Sequence, residues 1–162
     1  MEATVMLTVA GVDRYDMVNT PGSDGPAFTV FFSGCNIRCG GCHNRKLWDK
    51  SCGTEYSAKA LFNMIDDECK RLGIDNIVLM GGEPLDQDHR DIRMFCALLN
   101  REGYKIWLYT GYDIRDIPEY MISWAEAIKY GRYDSSLAVD GFPSSSNQHM
   151  MVKVHNMWKH KF

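Results

Sequence analysis

Short unbroken apolar runs alternate along this chain with longer stretches of helical spacing. Ala27 to Phe32 contains Val30, Phe31 and Phe32 in succession, and such a run predicts a strand buried on both faces. Asn76 to Met80, Lys105 to Tyr109 and Ala127 to Tyr130 repeat the signal. Between them, Ser57 to Leu72 sets Leu61, Met64, Ile65, Cys69 and Leu72 on one side of a helix. Ser57 is its expected N-cap and Gly73 its left-handed stop. Asp88 to Glu102 is a second helix carrying Ile92, Phe95, Cys96 and Leu99, ended by Gly103, and a shorter one is expected around Ile117 to Trp124. Thr4 to Val9 alternates loosely and predicts a first short strand. Gly11 to Pro26, rich in Gly, Asp, Asn and Pro, reads as a long connection. After Leu137 the tail is polar and then apolar, with Met150 to Val154 as a final edge strand.

Strand and helix in units of about thirty residues mean a parallel sheet built by right-handed crossovers. A closed eight-unit barrel needs about 250 residues, whereas the chain has 162. The expected fold is therefore α/β: a partial, laterally open (β/α) barrel of parallel strands, in a single domain spanning residues 1–162.

Charge removes several functional classes. The net charge of −3 and pI of about 5.9 lack the basic footprint of a nucleic-acid binder. No apolar run approaches the length of a membrane span. Met1-Glu2-Ala3-Thr4 has no signal-peptide character, which points to the cytoplasm. In that reducing compartment the six cysteines are expected to stay thiols or to bind metal.

Three of those cysteines are concentrated. Cys35, Cys39 and Cys42 fall in a C-x3-C-x2-C run directly after the Phe28 to Phe32 segment. Three thiolates on one loop suit three corners of a [4Fe–4S] cube, which normally takes four, so one iron is left open to a small molecule. Gly81-Gly82-Glu83-Pro84 follows a second strand and Thr110-Gly111 a third. Ligands bind at the carboxyl ends of parallel strands, so these segments should share one rim. A glycine pair permits close approach to backbone, and Glu83 adds a negative charge suited to an ammonium group. Two plainer readings stand beside this one. Gly81-Gly82 is also ordinary turn punctuation, and the cysteines could bind zinc with His43 or Cys52 as a fourth ligand, in a non-catalytic interaction module. Cys69 and Cys96 lie on apolar helix faces and read as core.

The cysteine motif together with Gly-Gly-Glu-Pro resembles the radical S-adenosylmethionine enzymes. The resemblance implies that Cys35, Cys39 and Cys42 hold a [4Fe–4S] cluster and that Gly81, Gly82 and Glu83 receive the methionine amine of S-adenosylmethionine. Gly41, Cys42 and His43 are implied as further cofactor contacts. Reductive cleavage of the sulfonium would yield a 5′-deoxyadenosyl radical. Asn19-Thr20-Pro21-Gly22, Leu108-Tyr109-Thr110-Gly111-Tyr112, Tyr130-Gly131-Arg132-Tyr133 and Ser144-Ser145-Ser146-Asn147-Gln148 narrow the likeness to the activating proteins of anaerobic ribonucleoside-triphosphate reductase. It covers roughly residues 5–152. It implies a glycyl radical installed on the large reductase subunit and a one-electron donor such as flavodoxin. Gly41 stands where many radical enzymes carry an aromatic residue, which this subfamily often lacks; Tyr130, Ser144 and His149 depart from its usual acidic residue, Gly and Arg. Another glycyl-radical activator, or a deazapurine-forming radical enzyme, is the alternative within the same chemistry.

Overall fold

The computed structural model describes residues 6–23 and 25–161. In chain order its elements are β1 (Leu7–Asp16), β2 (Ala27–Phe32), β3 (Thr54–Tyr56), α1 (Ala58–Leu72), β4 (Asn76–Gly81), α2 (His89–Arg101), β5 (Lys105–Tyr109), α3 (Glu119–Trp124), β6 (Ala125–Tyr130), β7 (His149–Val154) and β8 (Met157–His160). Among the described residues these strands form one open sheet in the order β3-β1-β2-β4-β5-β6-β7-β8.

The predicted parallel core is present: β2, β4, β5 and β6 run parallel. The expectation of parallel strands throughout needs correction, because antiparallel ribbons flank both sides. β1 pairs antiparallel with β2 and β3, and β7 with β6 and β8. The fold is thus mixed α/β around an unclosed sheet. Residues 11–16, expected in a connection, extend β1 instead. Asp13 and Arg14 face water while Asp16 is buried, on a strand paired with β2, so pairing overrides composition. Of the predicted Thr4 to Val9 strand, Thr4 and Val5 lie outside the described residues.

Helix boundaries follow local chemistry. The Ser57 hydroxyl accepts from the Ala60 N–H at 3.1 Å, and Gly73 takes φ 70°. The Asp88 carboxylate accepts from the N–H groups of Arg90 and Asp91. All three helices pack on one face of the sheet. There Leu61, Ile65, Ile92, Phe95, Leu99 and Met121 meet Phe28, Val30, Phe32, Ile77, Leu79, Ile106 and Leu108. Phe95 meets Phe32 edge-on, with ring centroids 6.5 Å apart. On the opposite face Ala27, Val78, Trp107, Ala127 and Met150 form a smaller cluster. Burial on both sides explains the unbroken apolar runs. No helix among the described residues is long and apolar enough to cross a membrane. With the crossovers on one face, the carboxyl ends of β2, β4, β5 and β6 open onto one rim.

Candidate active site

The cysteine loop leaves β2 at that rim and is held from several sides. Ser33 N–H donates to the Thr8 carbonyl at 3.0 Å, Gly34 N–H to Leu47 at 2.7 Å, and Cys35 N–H to Trp48 at 3.1 Å. Asn36 N–H donates to the Asp86 carboxylate at 2.7 Å, and that carboxylate also takes the Tyr112 hydroxyl. From beyond β6, the Arg132 guanidinium donates to the carbonyls of Ile37 and Arg38 at 2.9 and 3.2 Å. Arg38 itself takes φ 55°, a left-handed conformation that costs a non-glycine residue roughly 1–2 kcal/mol. These anchors hold the loop from both sides of the rim.

The loop brings the thiols of Cys35, Cys39 and Cys42 onto one cavity, together with His43. All three are unbridged and partly exposed. Among the described residues no three His, Cys, Asp or Glu side chains converge closely enough to hold a single metal ion. Three thiolate donors on one loop suit three corners of a [4Fe–4S] cluster. Backbone donors face the sulfurs: Asn44 N–H lies 3.4 Å from Cys42 Sγ. Burial pushes the Cys35 thiol up, while the N–H groups of Arg38 and Ile37 oppose the rise. Gly41 takes φ 73°, and a Cβ there would lie 2.7 Å from Cβ of Ser135. A side chain at 41 would strain the backbone and press on Ser135. His43 packs its ring on Tyr133 with centroids 4.9 Å apart.

Gly81 and Gly82 line the same cavity, and backbone packing gives them a second purpose. Gly82 N–H donates to the Phe32 carbonyl at 2.7 Å. A Cβ on Gly82 would meet the Gly34 carbonyl oxygen at 2.6 Å. Glu83 also reaches the cavity wall but is only 1% exposed. Its carboxylate accepts from Leu85 N–H at 3.0 Å, Thr110 Oγ1 at 2.8 Å and Gly111 N–H at 2.7 Å. Burial pushes its pKa up to about 7 against the pull of those donors. The charge that the sequence suggested for an ammonium group is already engaged by the end of β5.

Several residues escaped the sequence reading. Lys129 of β6 lines the cavity, donates to the Ser144 hydroxyl at 3.1 Å, and sits 5.5 Å from the ring centroids of both Tyr109 and Phe142. No carboxylate pairs with it among the described residues, and burial lowers its pKa to about 8. The available signal was one lysine inside an apolar strand. Trp48 also lines the cavity. The Ser144 to Gln148 segment acts chiefly as a strap: Gln148 Nε2 donates to the Gly131 carbonyl at 2.9 Å and Asn147 Nδ2 to that of Arg132 at 2.7 Å. Cys69 and Cys96 are buried in the core, with the Cys69 thiol pushed up to about 12 by burial; Cys52 is exposed.

An α/β sheet with three loop thiols and a glycine pair at its carboxyl rim fits an iron–sulfur protein. Residues 20–152 match the family described as a 4Fe-4S single cluster domain. The chain belongs to that family and, within it, to the anaerobic ribonucleoside-triphosphate reductase-activating proteins. It is 29% identical over 150 residues to the activating protein of Enterobacteria phage T4, covering 90% of this chain and 94% of the relative. It is 36% identical over 110 residues to that of Escherichia coli K12, covering 63% of this chain and 67% of the relative. In structure it is similar to QueE from Escherichia coli, with a TM-score of 0.54 at 15% identity over 77% of this chain and 71% of QueE.

Proposed function

We propose that this chain, as one domain, activates an anaerobic ribonucleoside-triphosphate reductase by forming a glycyl radical on its large subunit. The observation that carries the reading is the meeting of three unbridged thiols with the Gly81-Gly82 backbone on one cavity. Cys35, Cys39 and Cys42 hold the cluster, and Gly81 and Gly82 receive the methionine amine. Glu83 braces that glycine pair through Thr110 and Gly111. Lys129 presents a desolvated ammonium across the cavity, suited to the methionine carboxylate. Gly41 and His43 border the cofactor. When bound, the cluster and S-adenosylmethionine together supply a carbon radical by one-electron cleavage of the sulfonium.

The rest falls to this chain's own framework. The anchored loop fixes the thiols, and Met80, Tyr109 and Trp48 form part of the cavity wall. A protein substrate must deliver backbone to the cavity, and an unclosed sheet curved as a partial barrel leaves room for it. A cytoplasmic one-electron donor such as flavodoxin completes the reaction. Mixing the reconstituted chain with the large reductase subunit, S-adenosylmethionine and reductant under anaerobic conditions should give a glycyl doublet in electron paramagnetic resonance. Cofactor cleavage without that doublet would reassign the substrate.

A further inference from the structure

We infer that the indole N–H of Trp48 donates a hydrogen bond to a sulfur of the cluster and raises its reduction potential. The inference rests on the cluster being held by Cys35, Cys39 and Cys42. Among the described residues only two buried side-chain polar atoms have no partner, Trp48 Nε1 and Asp91 Oδ2. An unpaired buried donor is costly, so it normally has an acceptor in the working molecule. Trp48 lines the cavity that holds the three thiols. Its own carbonyl accepts the Cys35 N–H at 3.1 Å, which ties the residue to the first cysteine.

The surroundings strengthen this donor. The guanidinium carbons of Arg38 and Arg45 each lie 5.1 Å from the Trp48 ring centroid. Cations over an indole face draw density from the ring and make its N–H a better donor. Reduction adds one negative charge to a cluster, so a donor aimed at sulfur stabilises the reduced form more than the oxidised one. Trp48 is thus a positioning and tuning residue rather than a ligand.

The test uses the full chain, reconstituted with iron and sulfide without air. Trp48→Phe keeps an aromatic face for both arginines and removes the donor. A potentiometric titration followed by electron paramagnetic resonance should show equal iron and sulfide content and a more negative midpoint for W48F. Protein labelled with 15N in its four tryptophans should show a 15N hyperfine coupling to the reduced cluster that W48F lacks, because Trp107, Trp124 and Trp158 do not line the cavity. An unchanged midpoint at equal cluster content, or no 15N coupling in the unsubstituted protein, overturns the inference. If W48F takes up no cluster, the coupling in the unsubstituted protein decides alone. If the unsubstituted chain itself takes up no cluster, the thiol assignment fails first and this inference with it.

Discussion

Thr110 donates its hydroxyl to the Glu83 carboxylate at 2.8 Å, tying the carboxyl ends of β4 and β5 together beneath the cavity. The acidic residue of the Gly-Gly-Glu-Pro motif is therefore a structural brace as well as part of the site wall. Glu83→Gln keeps the shape but cannot accept both the Thr110–Gly111 pair and the Leu85 N–H. Leaving one buried donor unpaired costs about 1–3 kcal/mol. E83Q should unfold at lower temperature than the unsubstituted protein with neither cluster nor cofactor present. Equal melting temperatures would restrict Glu83 to cofactor contact.

Lys129→Met should leave the cluster in place and weaken S-adenosylmethionine binding. A charge-assisted hydrogen bond lost from a buried site is worth about 1.5–3 kcal/mol, or roughly 10- to 100-fold in affinity. Calorimetric titration of the reconstituted protein checks this, and unchanged affinity would remove Lys129 from the carboxylate subsite.

The glycines of the rim should not be equivalent. A Cβ on Gly40 meets nothing within 4 Å, whereas one on Gly82 would press on the carbonyl oxygens of Gly34 and Leu47 at 2.6 and 2.9 Å. Backbone cannot move aside cheaply, and overpacking of this kind costs about 1–3 kcal/mol. Gly40→Ala should keep the iron content and melting temperature of the parent. Gly82→Ala should lower both.

Asp16 gives a pH signature away from the chemistry. It is buried at the end of β1 and accepts from Thr29 Oγ1 at 2.6 Å, Asn19 Nδ2 at 2.5 Å and the Val18 N–H at 2.7 Å. Burial raises its pKa, but these bonds outweigh that and hold it below the ordinary carboxylate range. A depressed native pKa means stability that is complete above the unfolded value and lost as pH falls through the native one. Urea denaturation from pH 6 down to pH 3 should show this loss in the parent, with a shallower slope in Asp16→Asn. Parallel slopes would contradict the assignment.

The parallel half of the fold was legible because each buried strand carries apolar residues on both faces and the two long helices carry their own caps. Ser57, Gly73 and Asp88 act where their chemistry predicts. The antiparallel flanks were harder to read. Residues 11–16 gain their strand from β2 rather than from their own side chains, and β3 and β8 span only three and four residues. In the site, the three thiols and the glycine pair announced themselves by spacing. Lys129 and Trp48 did not, since their meaning depends on which cavity they face, and that is set by contacts between distant segments. The Glu83–Thr110 bond, between residues 27 apart, was hidden for the same reason.

The most direct test is anaerobic reconstitution with iron and sulfide, followed by reduction, addition of S-adenosylmethionine and quantification of 5′-deoxyadenosine, for the parent, Cys39→Ala and Cys52→Ala. Exposed Cys52 lies outside the cavity lining, whereas Cys39 is part of it. The parent and C52A should be brown and form 5′-deoxyadenosine, while C39A should lose both colour and product. Full turnover by C39A, or a colourless parent that forms no 5′-deoxyadenosine, would contradict a cluster held by Cys35, Cys39 and Cys42.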